Sequence, residues 1–472
     1  MRVTIVGAGF SGSTLATFLA SSQDDAPQVC LAGIADTFAR GVAYGEARPE
    51  HLLNVRAGQL GADPDDPGGF ADWLKLEQRE RDGFLPRAAY GEYLAGRLRA
   101  ARRRATNLTL VEQEVVAINA VGDGFRVHLD DGRYFASDRV VLALGALPPQ
   151  RLAGIGPRLA HSARYIAWPW QDDALARIEP TARVLIVGTG LTMADVSASL
   201  LAQGHSGPLV AISRHGLLPR RHPSTPLAPI ELPPSVQQAL RARDVRALLR
   251  AMRSLAHVVQ DWRAAIDALR PHTQRFWREL GAEQRERFLR HCRSHWEVAR
   301  HRIAPKAADQ LEALQASGRL TVRAARLLRA SLREGSAEVL LRERGREQAQ
   351  LERYDYVIRA TGLDTDILRT THPLASYLYE TGLIDADPHG LGMRVDESLQ
   401  VLGRHGQPVA GLHCLGPLLR GHSWEITAVP ELRAAARALA RKLQEDVMAS
   451  GAAARRRPAG GLERELALSA GT

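Results

Sequence analysis

The chain has 472 residues, with 62 Lys+Arg against 52 Asp+Glu and a formal balance of +10. At roughly 100–200 residues per domain this predicts roughly two to four domains. Hydrophobic residues at 45% and charged residues at 24% exclude a disordered or collagen-like chain, and no apolar run is long enough to span a bilayer. Only Lys75, Lys306 and Lys442 are lysines, leaving 59 arginines, a bias that codon usage explains more readily than a nucleic-acid or membrane surface. The run Arg97, Arg99, Arg102, Arg103, Arg104 has no interleaved aromatics and reads as an exposed helix end, not a nucleic-acid patch. Cys30, Cys292 and Cys414 are too far apart for a CxxC pair or a disulfide framework, which fits a reducing cytoplasm. Met1-Arg2 and the apolar stretch after it imitate a signal peptide, but glycines at 7, 9 and 12 fit a motif better than a leader.

Residues 2–6 read as a short buried strand, Ser13–Ala20 as a helix and Val29–Ala32 as a second strand. A loop-rich stretch, 36–67, carries RGVAYG (40–45) and HLLNV (51–55), and helical patterns follow at 69–79 and 88–105. The segment 108–145 reads as a strand meander with turns at Asp123-Gly124 and Asp131-Gly132, ending in Gly145 before Pro148-Pro149. A second strand–glycine–helix unit begins at Ala182–Val187, with Leu209–Ser213 as its next strand. From about 233 to 317 the chain turns helical and Arg-rich, with Trp262, Trp277 and Trp296 spaced as core residues of an insertion. Strands resume at 320–342 and at Tyr354–Ala360, and Leu412–Leu415 precedes a long helix from about Ala428 to Met448. The expected fold is α/β, with two dinucleotide-binding (Rossmann-like) domains and a helical insertion in the second. The boundaries are 1–150, 160–362 and 363–450, followed by a flexible tail over 451–472.

Gly7-x-Gly9-x-x-Gly12 lies between a strand and a helix, where glycines allow a tight turn, close approach of a pyrophosphate and close helix packing. The acid expected at the end of the second strand is replaced by Gly33. Asp36 is the nearest acid and either serves from the loop or is a surface turn residue. The second unit, Gly188-x-Gly190-x-x-Met193-Ala194, has Met193 in the third small-residue slot. Two such units allow FAD at one and a nicotinamide nucleotide at the other, the arrangement by which hydride reaches a flavin. Arg214 follows Leu209–Ser213 where an acid would select NAD, so it is the candidate 2′-phosphate clamp of NADPH, with Arg220 and Arg221 nearby. Further cofactor-binding candidates are Ser11, Arg40, Gly41, Asn54, Val55 and Val116. Gly145, Thr192, Thr361, Gly362, Gly416 and Trp424 complete the set. Asn54 is the one catalytic candidate, as a hydrogen-bonding group at the flavin edge. Within the insertion, His291, Cys292 and His295 lack a fourth ligand, so no metal site is expected. Arg270, His272, His301 and Arg302 are candidates to hold an anionic or amino-acid-like substrate, against the alternative of a solvated basic face.

The run GTGLTMADV…GHSGPLVAISRHGLLPRRH (188–222), with RGVAYG, HLLNV, FLPRAAYGEYL (84–94), RPHTQRFWREL (270–280), RHRIAP (300–305) and GPLLRG…WEITAVPELR (416–433), resembles the bacterial FAD/NAD(P)-binding protein family. The resemblance covers about residues 1–445. That family is similar at a distance to class B flavin monooxygenases, including amino-group N-hydroxylases. The resemblance implies FAD at the first unit, NADPH at the second, and a return of the chain to the FAD domain after Thr361-Gly362. The chain departs from the pattern at Gly33 and at Arg56, where the family continues Asn-Val with Pro. The implied activity is NADPH-dependent oxygenation of a small substrate, an amine or amino acid, by dioxygen through a flavin C4a-peroxide. The alternatives are an NADPH:acceptor reductase and a non-catalytic flavin-bound sensor, and a fold alone does not choose among them.

Overall fold

A computed structural model describes residues 1–23, 25–171 and 174–451. The strands are β1 (Arg2–Val6), β2 (Gln28–Ala32), β3 (Leu108–Val111), β4 (Val115–Val121), β5 (Gly124–Leu129), β6 (Tyr134–Ser137) and β7 (Arg139–Leu142) in the first part of the chain. The middle holds β8 (Tyr165–Ile166), β9 (Val184–Val187), β10 (Leu209–Ser213), β11 (Leu320–Arg333), β12 (Ser336–Glu343), β13 (Gln350–Tyr354) and β14 (Tyr356–Arg359), and the last part β15 (Gln400–Leu402) and β16 (Pro408–Cys414).

The first sheet has the order β15-β16-β7-β1-β2-β3. Its centre is parallel, with Val6 opposite both Ala32 and Leu142, so β1, β2 and β7 end level with one another. β16 pairs in parallel with β7, which places residues from near the end of the chain beside residues from its start. The second sheet, β13-β12-β11-β10-β9-β14-β8, repeats that centre: Val187 of β9 lies opposite Ile212 and Arg359. Buried on both faces, these central strands do not alternate apolar with exposed polar residues: VLIV of β9 is wholly apolar, and in β1 even Thr4 is buried. The expected meander over 108–145 is divided. Only β4, β5 and β6 form a separate antiparallel sheet, while β3 and β7 belong to the first sheet.

Five helices between Pro234 and Arg300 form the insertion, with a small core of its own around Val236, Leu248, Met252, Leu255 and Leu269. The next helix, Pro305–Ala316, buries Ala308, Leu311 and Leu314 in the core of the second sheet. It is thus the crossover into β11, not part of the insertion as its helical period alone suggests. The insertion seats on the returning chain: Trp277 packs tilted against Trp424 with ring centroids 4.7 Å apart, and its indole N–H donates to the Gly421 carbonyl at 2.8 Å. Among the described residues no helix is long and apolar enough to cross a membrane. The tail beyond Gly451 lies outside the described residues.

Candidate functional site

Each of the two large sheets carries a glycine turn between a central strand and the helix that follows it. In the first, Gly7 has φ +103° and donates its N–H to Ala32 at 2.9 Å, and a Cβ there would strike the Ala143 carbonyl. A Cβ on Gly12 would strike the Gly7 carbonyl, so the helix Phe10–Leu19 rests directly on the turn. Gly9 caps that helix without any side-chain hydrogen bond, leaving the N–H groups of the first turn open. In the second turn Gly188 has φ +125° and lies under the Ala360 carbonyl. Gly190 caps the helix Leu191–Ala202, again without a side chain, and a Cβ on it would meet nothing within 4 Å.

Gly33 replaces the expected acid for a steric reason: a Cβ there would lie 2.7 Å from the Ala8 Cβ and 3.0 Å from its nitrogen. Ile34 and Thr37 line the site instead. The backbone of Asp36 lies in the 3-10 turn Ala35–Thr37, and its side chain lies outside the described residues.

A cavity of about 580 Å³ is lined by the first turn and by Leu191, Thr192 and Asp195 of the helix that follows the second. Gly7, Gly9, Ser11, Arg40, Gly41, Asn54, Val55 and Gly145 line it from the first sheet's side, and Thr192, Gly362 and His301 also reach it. Residues outside the expected set complete the wall: His51, Arg87, Val115, Trp168, Trp170, Asp195, Arg300 and Thr427.

The rest of the expected set stands elsewhere. Gly12 serves helix packing, and Gly188 and Gly190 form the second turn beside the cavity. Val116 is exposed while Val115 lines the cavity, since neighbouring strand residues face opposite ways. Trp424 packs on Trp277 and Phe288 in the seat of the insertion, and Gly416 packs against Ser11. Thr361 is exposed.

Among the expected substrate residues, Arg270 is held by both oxygens of Glu431 at 2.7 Å, and Arg302 is buried and paired with Asp267. His272 is exposed on the outer face of its helix. These three do not reach the cavity. The pairings join segments far apart in sequence, which residue type alone does not reveal.

Arg214 is exposed at the end of β10, next to His215, whose Nδ1 lies 3.1 Å from Arg344. Arg326 and Arg342 are register partners across β11 and β12, and both Arg326 and Arg344 depress the His215 pKa after burial. Arg221 is paired with Asp309 at 2.5 Å.

The join of the two sheets is polar. The Arg48 backbone N–H donates to His51 Nδ1 at 3.1 Å, which leaves the ring proton on Nε2, 2.8 Å from Ser199 Oγ. Ser199 in turn donates to Glu50 at 2.7 Å. Burial, followed by the nearby Arg87, pulls the His51 pKa down to about 4, so the ring is neutral. One turn before Ser199, Asp195 pairs with Arg87 at 2.7 Å, and burial pushes its carboxyl up to about 6 against the pull of that guanidinium. His222 donates to the Asn54 carbonyl at 3.0 Å. Arg56, where the family pattern has Pro, donates to the carbonyls of Asp82 at 2.5 Å and Pro223 at 2.7 Å, bridging the two sides.

Residues 4–147 match the family model described as FAD-NAD(P)-binding and form an FAD/NAD(P)-binding domain. No curated protein sequence gives a significant match. The fold is similar to that of ornithine N-hydroxylase from Kutzneria sp. 744, solved with reduced FAD, NADP+ and L-ornithine: TM-score 0.62, 16% identity, over 94% of this chain and 99% of the other. L-lysine 6-monooxygenase from Pseudomonas syringae gives 0.60 and 19%, over 94% and 99%. The cadaverine monooxygenase of Erwinia amylovora gives 0.61 and 15%, over 93% and 94%.

The site fits two dinucleotides on its own chemistry. Two uncapped helix N-termini offer free N–H groups to phosphates, and the space at Gly190 is one that any side chain would begin to fill.

Proposed function

We propose that this chain is an FAD-dependent, NADPH-using monooxygenase acting on a small amine-bearing substrate. The observation that supports it is a single cavity of about 580 Å³ whose wall combines the first glycine turn, Thr192 and Asp195 of the second unit, and His301 of the insertion. Gly7, Gly9, Ser11 and Gly145 would hold FAD, and Gly190 and Thr192 the NADPH pyrophosphate. Arg214, with Arg326 and Arg344 behind it, would take the 2′-phosphate. When bound, FAD accepts hydride from the nicotinamide and activates dioxygen.

The chain's own residues order the cavity wall. Trp168 and Trp170 wall the cavity, Trp168 being fixed by donation to Glu46 at 3.2 Å, and the His51 ring packs edge-on against Trp170 at 5.2 Å. Both His51 nitrogens are engaged, which fixes the orientation of the ring against Trp170. Asp195 is the cavity carboxyl placed to take up a proton as the pH falls toward 6, because burial has raised it to about 6.

The reading is tested by anaerobic titration of the FAD-loaded protein with NADPH, then by oxygen uptake with candidate amines. The expected result is bleaching of the flavin absorbance and oxygenated product in step with NADPH consumed. Flavin that NADPH never bleaches, or hydrogen peroxide as the sole product with every amine, overturns it.

A further inference from the structure

The carboxyl end of β10 adjoins a group of cations with no counter-charge. Arg214 and His215 follow β10, Arg326 and Arg342 stand opposite each other in the register of β11 and β12, and Arg344 lies two residues further on. Ser213 is the register partner of Ala324, which brings the two sets together. Like charges directly opposite in a sheet repel, so the Arg326–Arg342 pairing is unfavourable unless an anion lies over it. Arg214, Arg326, Arg342 and Arg344 are exposed, and among the described residues no carboxylate pairs with any of them. Glu343, between Arg342 and Arg344, is held instead by Arg323 at 3.0 Å and Arg346 at 2.9 Å. The insertion adds one more group. His295, exposed on the helix Arg293–Arg300, brings its ring centroid to 5.7 Å from that of His215.

His215 is the one acceptor in this group. Its Nδ1 lies 3.1 Å from Arg344 Nη1, and since a guanidinium only donates, Nδ1 accepts and the ring proton sits on Nε2. The ring is thereby neutral. The charged groups that face it are Arg344 beyond β12, His295 from the insertion, Arg214 from its own loop and Arg326 from β11. After burial, each of them opposes a second proton, and no acid favours one. A phosphate dianion seated here would reverse that balance. It would accept from Nδ1–H and from Arg344 alike, two charge-assisted hydrogen bonds in place of the contact those groups now make with each other.

We propose that His215 is a specificity-determining residue of the 2′-phosphate site, taking up a proton from solvent at Nδ1 as that phosphate binds. Discrimination between NADPH and NADH then sharpens as the pH falls, because only the phosphorylated nucleotide draws the proton in. The proposal rests on the reading that the second glycine unit binds NADPH. It also gives the insertion, through His295, a place at the edge of that nucleotide.

The test is calorimetric titration of the FAD-loaded protein with 2′,5′-ADP and with 5′-AMP, which differ only in the 2′-phosphate. The ratio of their affinities is expected to rise about threefold or more as the pH falls from about 8.5 to about 7. The free phosphate begins to gain its own proton toward the lower pH, which weakens binding, so a rise belongs to the protein. At about pH 7.5, in two buffers of different ionisation enthalpy, 2′,5′-ADP is expected to take up a fraction of a proton more than 5′-AMP does. His215→Asn is expected to flatten the ratio and remove the uptake, with 2′,5′-ADP still preferred through Arg214. His215→Lys, charged throughout, is expected to flatten the ratio at a higher level. A folding defect would lower it in both variants.

A preference for 2′,5′-ADP that does not change with pH overturns the proposal and leaves the NADPH reading standing. So does a proton uptake that survives His215→Asn, and its loss in His295→Asn would then move the proton to the insertion. Equal affinities for the two probes at every pH overturn both readings.

Discussion

Gly12 lets the helix Phe10–Leu19 rest on the carbonyl of Gly7, whereas at the matching place in the second unit Met193 is fully buried beneath the helix Leu191–Ala202. Both units keep the first glycine, for the same reason: Gly7 and Gly188 each pass under the carbonyl that ends the neighbouring strand, Ala143 in one and Ala360 in the other. Where backbone meets backbone there is no alternative to glycine. Where helix meets strand, a larger side chain can hold the two apart and fill the gap, and Ser197 donates weakly to the Met193 sulfur there at 3.5 Å. The first unit is close-packed by backbone, the second by a side chain.

The largest test of this contrast is Met193→Ala, which should empty the space under the second helix and cost about 2–5 kcal/mol by denaturant unfolding. A loss well under 1 kcal/mol would mean that the helix settles onto the turn as its counterpart does. Next is Gly12→Ala, expected to cost about 1–3 kcal/mol and to yield protein depleted in flavin. Gly190→Ala, entering open space at a negative φ, should stay within about 0.5 kcal/mol of the parent while weakening NADPH binding. Equal melting of the two alanine variants would erase the distinction between a packing glycine and a ligand glycine.

The helices also differ in charge. Asp195 on the second matches neutral, buried Thr14 on the first. With its carboxyl raised to about 6, the folded protein keeps this proton between about pH 4 and 6, where the unfolded chain has lost it. The Asp195 contribution to stability therefore falls as pH rises through that window and is flat above it. Buried His51, His222 and His413, with pKa values lowered to about 4, 3 and 4, contribute the opposite slope. The measurement is thus the difference in melting temperature between the parent and Asp195→Asn at pH 4, 5 and 6. A constant difference would place the proton elsewhere.

The smallest effect concerns the strand ends, where Gly33 is hemmed in by Ala8 and Arg214 stands free. Arg214→Ala should lower the preference for NADPH over NADH about tenfold, roughly 1.4 kcal/mol, with NADH kinetics unchanged. An unaltered preference would move the 2′-phosphate contact onto Arg326 and Arg344.

Both glycine turns were legible in the sequence because strand, turn and helix are contiguous, and their spacing is the geometry itself. The division of 108–145 between two sheets was not, since β3, β5 and β7 share one local pattern and differ only in distant partners. Val116 was expected where Val115 stands, a one-residue register choice that periodicity leaves open when both residues are valine. Trp424 and Arg270 carried the right chemistry for a ligand, but Trp277 and Glu431, far away in the chain, claim them.

The returning stretch 416–431 is two-sided. Pro417, Thr427 and Ala428 border the cavity, while Gly421, Trp424, Glu425 and Glu431 receive the insertion. A backbone stretch of sixteen residues thus serves as cavity wall on one side and as the seat of the helical insertion on the other.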